Sequence, residues 1–177
     1  MYDIDLFNND AATVSALHED GRIVICYMNA GGWENWRSDA AKFPEEIIGK
    51  NLDGWEGERW LDIRRLDVLA PIMEDQMIAC KNKGFDGIEP DNVDGYLNDT
   101  GFDLTATDQL EFNIWLAETF QQLRWRQRRL ACVWASHYPG SSRQILRTQP
   151  QVASFQEQLT SENTMASQYW MLAKTRR

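Results

Sequence analysis

The sequence predicts an α/β protein built from parallel β/α units, and three observations carry that prediction. Strand-like and helix-like stretches alternate about every 25 to 35 residues over the first two thirds of the 177-residue chain. RIVICYMN (22–29) is β-branched and nearly all apolar, as a strand covered on both faces should be. DVLAPIMEDQMIACKNKG (67–84) is amphipathic, with Ile72, Met73, Met77 and Cys80 on one side and Gly84 after its end.

Taken in order, YDIDLF (2–7) alternates as a short strand, and Asn9 or Asp10 caps a helix that Gly21 stops. Residues 22–29 form the second strand. AGGWENW then turns, and SDAAKFPEEIIG supplies a short helical piece from Ser38. GERWLDIR (57–64) is the third strand, followed by the amphipathic helix. FDGIE is the fourth strand, and LTATDQLEFNIWLAETF the fourth helix, with a Thr105-x-x-Asp108 capping-box variant. Four units make half of an eightfold barrel, which typically needs ~250 residues. A doubly wound sheet of four or five units fits the same alternation, so the pattern alone does not select the barrel.

Beyond Glu118 the character changes. Residues 119–177 are rich in Gln, Ser and Arg, and no clean β/α unit follows LACVWAS (130–136), a candidate fifth strand. The expected division is β/α units over 1–118 and a divergent basic tail over 119–177. The tail is expected not to belong to the same fold, through a frame change, a mis-joined exon or a truncated gene.

No apolar run approaches the roughly 18 residues that span a bilayer, and no signal-peptide pattern is visible. The chain opens abruptly on MYDIDLF, which suggests a missing upstream segment. Cys26, Cys80 and Cys132 form no C-x-x-C pair, so small buried thiols are expected rather than a disulfide framework or a metal site. The two histidines, His18 and His137, offer little for a zinc site or a triad. Neither cofactor nor metal is expected, and carboxylates are left to carry any chemistry. Net charge is −9, split as about −16 before Thr119 and about +7 after Glu118. That acidity argues against nucleic acid and suits a cationic ligand where it lines a cleft; solvated acidic helix faces are the plainer reading.

GFDGIEPDNVDGY (84–96) concentrates Asp86, Glu89, Asp91 and Asp94 in thirteen residues. Alternation puts Glu89 and Asp91 on one face and Ile88 and Pro90 on the other. Pro90 cannot donate to a ladder, so regular pairing is expected to end there. Both acids then lie at the C-terminal mouth of the fourth strand, where β/α folds bind substrate. Neighbouring carboxylates also shift each other's pKa, as acid–base work requires. The same residues read alternatively as an Asx-held turn, or as a calcium loop whose EF-hand spacing is not met. Asp3, Asp5, Tyr27, Asn29, Asp62 and Arg64 end the other strands, with Trp33, Trp36, Trp55 and Trp60 in or beside nearby loops. Aromatic rings and acids around one cleft suit a polysaccharide of cationic amino sugars.

At these motifs the chain resembles glycoside hydrolase family 114, the endo-α-1,4-polygalactosaminidases. The resemblance is carried by YDIDLF, GRIVICYMNAGGWENWRSDA, FPEEIIGKNLDGWEGERWLDIR and GFDGIEPDNVDGYLNDTGFDLTATDQLEFNIWLAE, nearly all of residues 2–118. It implies a (β/α)8 TIM barrel, present here as its first half plus an atypical tail, and endo-cleavage of α-1,4-linked galactosamine-containing polysaccharide. It implies a secreted or extracellular protein. By motif position Asp91 is implied as a catalytic carboxylate, and Glu89 shares its face. Asp3, Asp5, Tyr27, Trp33, Asp62, Arg64, Asn92, Asp94 and Tyr96 are the candidate substrate contacts. A second carboxylate is needed across the scissile bond. The N-E-x-C-like motif and K-N-D-like segment that the family supplies later are not found, nor is its tryptophan-bearing strand before YDIDLF. Glu157 and Glu162, the only acids after Glu118, have no strand-like context. The alternative is therefore a truncated, inactive member that binds amino-sugar polymer or does nothing. Half a barrel would leave an unpaired strand edge, so self-association through it is expected.

Overall fold

The protein is described by a computed structural model covering residues 1–123. Three parallel strands form the first sheet: β1 (Tyr2–Asp5), β2 (Val24–Asn29) and β6 (Gly87–Asp91), in the order β1-β2-β6. Between the first two runs α1 (Ala11–Glu19), capped by the Asp10 carboxylate on Thr13 N–H at 2.8 Å. Helix α2 (Leu66–Lys83) leads into β6 and ends on Gly84 at φ 92°, a left-handed position that glycine takes without a Cβ penalty. Helix α3 (Ala106–Gln122) starts at the expected capping box, with Thr105 and Asp108 bonding reciprocally, and runs past the expected boundary at Glu118.

Register explains why the sheet has two unlike faces. Asp5 pairs with Tyr27 and Tyr27 with Glu89, while Ile4 pairs with Cys26 and Cys26 with Ile88. Paired residues in parallel strands share a face, so Ile4, Cys26, Met28 and Ile88 turn one way and Asp3, Asp5, Tyr27, Asn29, Glu89 and Asp91 the other. The apolar side joins one buried cluster with Val14 of α1, Leu69, Met73 and Met77 of α2, and Phe112, Leu116 and Phe120 of α3. The expected apolar side of α2 is thus the side that is buried.

The structure departs from the expected elements in the segment between β2 and α2. The strand expected over 57–64 exists as β5 (Glu58–Leu61), but it belongs to a separate antiparallel sheet with β3 (Gly32–Glu34) and β4 (Ile48–Asn51), in the order β3-β5-β4. Only a short turn joins β4 to β5, and parallel pairing would need a crossover of a dozen or more residues. The parallel sheet therefore has three described strands, and β6 pairs directly with β2. AGGWENW, expected only to turn, contains β3. The helical piece expected from Ser38 is two single 3-10 turns, Ala40–Lys42 and Glu45–Ile47.

Cys26 and Cys80 are both fully buried, as expected, but they form a disulfide between β2 and α2 with Cα atoms 6.0 Å apart. Each lies on the face its element turns to the other, so 54 residues of separation in sequence vanish in space. Cys132, His137, Glu157, Glu162, the candidate strand at 130–136 and nearly all of the expected tail lie outside the described residues.

Closing a loop of that length removes about 4 kcal/mol of unfolded-chain entropy in the simplest treatment. Urea denaturation with and without reductant should show a loss of roughly 2–4 kcal/mol on reduction. An unchanged midpoint, with thiol titration confirming reduction, would contradict the cross-link's structural role.

Candidate active site at the end of β6

Asp91 ends β6 opposite Asn29. Its carbonyl accepts from Ala30 and Gly31 N–H, each at 3.1 Å. Odd-numbered residues of β6 therefore bond toward β2, and the donor missing at Pro90 falls on the other side. That is why pairing runs through Pro90 instead of ending there. Beyond Asp91, Asn92 turns the chain at φ 57°, a left-handed conformation uncommon for residues other than glycine. The turn passes so close to β2 that a Cβ on Gly31 would sit 1.8 Å from the Asn92 carbonyl oxygen. Only glycine fits there, and the AGG stretch is explained by this approach.

Side chains then fix the mouth. The Tyr27 hydroxyl donates to Asp91 Oδ2 at 2.8 Å. Burial, then the Asp91 charge, raises the Tyr27 pKa strongly, so the phenol remains a donor at any physiological pH. The Asn92 amide donates to Asn29 Oδ1 at 2.8 Å, and the buried Asn29 amide donates onward to Glu58 Oε2 at 3.2 Å. Glu58 stands directly opposite Glu34 across the antiparallel sheet, and both are buried. Burial, then repulsion from Glu34 and Asp91, raises the Glu58 pKa.

Arg37 neutralises part of this charge. Its guanidinium forks onto Glu34 at 2.7 and 2.8 Å and onto Asp5 at 2.9 and 2.6 Å, and it lies over the Phe7 ring, 4.8 Å from its centroid. Asp94 is pushed up by burial and then by Asp91. Asp3 is exposed as a residue, yet desolvation of its carboxyl, with Asp91 repulsion second, pushes its pKa up to about 6.

The expected site residues thus divide. Asp3, Tyr27, Asn92 and Asp94 gather around Asp91, and Glu89 lies buried on the same face, opposite Tyr27. Asp5 is taken up by Arg37 and by Phe7 and Asn8 N–H, each at 2.8 Å. Asp62 is held in a fork by Arg64 at 2.7 and 2.8 Å, beyond β5 in the second sheet. Trp33 is half buried, with Nε1 donating to Ala40 O at 3.1 Å. Tyr96 packs against the core from the turn Gly95–Leu97. Asp86 is structural: its Oδ2 accepts from Val24 N–H and meets His18 Nε2, both at 2.9 Å.

Glu34, Arg37 and Glu58 were not anticipated. The β4–β5 hairpin that carries Glu58 had a legible signal, Asp53-Gly54 between the stretches IGKN and ERWL, whereas the β3–β5 pairing that opposes Glu34 to Glu58 had no local one.

A family model described as "Glycoside-hydrolase family GH114" matches residues 1–131. The chain belongs to that family. Among solved structures, Aspergillus fumigatus Ega3 in complex with galactosamine is 48% identical at a TM-score of 0.66, with 68% of this chain and 48% of Ega3 covered. The glycoside hydrolase domain of PelA from Pseudomonas aeruginosa has a TM-score of 0.53 at 12% identity, with 75% of this chain and 50% of that one covered. A variant of the same domain has a TM-score of 0.54 at 12% identity, over 67% and 48% of the two chains. Likeness at 12% identity is one of fold. This GH114 chain spans about half the length of the solved relatives it matches. Comparison with curated proteins found no match.

The raised carboxyl of Asp3 gives this GH114 chain a pH signature. Its stability contribution is present below the ordinary carboxyl pKa of 3.8 and is lost as pH rises through about 6. Asp3→Asn should leave urea stability near pH ~3.5 unchanged and raise it above pH ~6. A variant no more stable than wild type above pH ~6 would contradict the crowding around Asp91.

Proposed function

We propose that this chain is a glycoside hydrolase-type domain acting on α-1,4-linked galactosamine-containing polysaccharide by internal cleavage, with Asp91 as one carboxylate of the catalytic pair. The observation that carries the reading is the acidic mouth centred on Asp91 in a family member 48% identical to a protein solved with galactosamine. Deacetylated galactosamine is cationic, and clustered carboxylates beside a low-dielectric wall attract cations.

Glycoside hydrolysis places two carboxyl groups about the scissile bond: one protonates the leaving oxygen, and the other activates water or attacks the anomeric carbon. Asp91 is suited to one of these roles because Tyr27 and the Gly31–Asn92 approach fix its position. Glu89, on the same face, tunes Asp91 or holds substrate. In this reading the three parallel strands are consecutive wall strands of a (β/α)8 barrel, and the antiparallel sheet is an excursion from it. The Cys26–Cys80 disulfide supports a secreted or extracellular setting, since such bonds persist in oxidising compartments.

Incubating the full chain with α-1,4-galactosamine polymer should release oligomers from internal cuts. Asp91→Asn should lower the rate by ~10³-fold or more, and Tyr27→Phe, which loses a charge-assisted bond, by roughly 10- to 100-fold. Asp86→Asn, compared at equal folded fraction, should retain activity. Equal losses for Asp86→Asn and Asp91→Asn, or binding without any release of oligomers, would contradict the assignment.

A further inference from the structure

A second concavity begins where the Asp91 mouth ends. A groove of about 850 Å³ runs between the β4–β5 hairpin and the loop after β6, and Asn92 and Asp94 belong to both. That volume falls within the ~300–1,000 Å³ typical of small-ligand sites, so more than one sugar ring fits.

Two tryptophans line it with opposite exposure. Trp60 is 7% exposed and serves the core, whereas Trp55 at the hairpin tip is 64% exposed. The tip is nonetheless ordered by hydrogen bonds. Trp55 N–H donates to Leu52 O, and Glu58 N–H to Trp55 O, each at 3.2 Å. Gly54 and Gly57 supply left-handed turns at φ 83° and 88°. A large ring held out by a rigid turn loses little further entropy on binding.

Charge in the groove is also arranged. Lys50 is paired with Asp99 at 2.7 Å, and Arg59 with Glu45 at 2.8 Å. Asp53 and Asp94 have no ion-pair partner among the described residues, although both line the groove. The cations are therefore paired, while two carboxylates line the same groove as an exposed aromatic ring. That combination matches a hexosamine unit, whose ring has an apolar face and whose amine is positive.

We propose that this groove is a distal subsite for a cationic hexosamine unit of the polymer, with Trp55 as the stacking platform and Asp53 and Asp94 as ammonium acceptors. The inference rests on the reading of the Asp91 mouth as an amino-sugar site, and it adds a second point of purchase along the chain of sugars.

Calorimetric titration of the full chain with a galactosamine disaccharide and a hexasaccharide separates the two readings. Wild type should bind the hexasaccharide more tightly than the disaccharide. Trp55→Ala should weaken hexasaccharide binding about tenfold and leave the disaccharide unaffected, while Trp55→Phe restores most of the loss. Asp53→Asn should reduce the salt dependence of hexasaccharide binding. If Trp55→Ala binds the hexasaccharide as wild type does, or weakens both ligands equally, the distal subsite is overturned and the Asp91 reading stands. Failure of wild type to bind either ligand overturns both.

Discussion

Repulsion among carboxylates crowded at one end of a parallel sheet is the constraint that the surrounding structure answers. Asp91 lies close enough to Asp3, Asp94 and Glu58 to disfavour the charged form of each, and Glu34 adds to the pressure on Glu58. Left unanswered, such charges would push the strand ends apart or protonate one by one. Arg37 offsets two of the acids at once, by forking onto Glu34 and Asp5. Neutral groups do the rest. Tyr27 donates to Asp91, and the Asn92–Asn29–Glu58 relay joins the loop after β6 to the second sheet. The acids at the mouth stay close because their positions are held by backbone approach and amide relays, with only partial neutralisation.

The opposite face of the same strands makes that arrangement affordable. Ile4, Cys26, Met28 and Ile88 pack on the helices, and the Cys26–Cys80 bond locks β2 to α2 through the middle of that layer. Period-two alternation separates the two faces: along β1, β2 and β6 the even-numbered residues turn to the core, and the odd-numbered residues turn to the acidic side. The antiparallel excursion between β2 and α2 extends this division outward. It delivers Glu58 to the relay from its central strand and Trp55 to the groove from the β4–β5 turn.

Much of this was legible in the sequence, for identifiable reasons. The helices were readable because their caps and terminating glycine are local: Asp10, Thr105 with Asp108, and Gly84. Asp91 was readable because strand alternation and a following turn fix which face and which end an acid occupies. The disulfide was not, since Cys26 and Cys80 carry no local spacing signal and meet only through tertiary packing. The 57–64 segment misled because strand propensity does not reveal a partner; its apolar Trp60 and Leu61 suit an antiparallel sheet as well as a parallel one. Arg37 lay hidden for a related reason: its two acids are 3 and 32 residues away, and only the fold makes them neighbours.

On the proposed reading, crowded negative charge at the end of β6 selects a positively charged sugar. The most direct measurement compares a galactosamine oligomer with its fully N-acetylated counterpart, titrated calorimetrically into the full chain at low and high salt. The account predicts that the cationic oligomer binds at least about tenfold more tightly and that its advantage shrinks as salt rises. Equal affinity for the two sugars, or an advantage indifferent to salt, would contradict it.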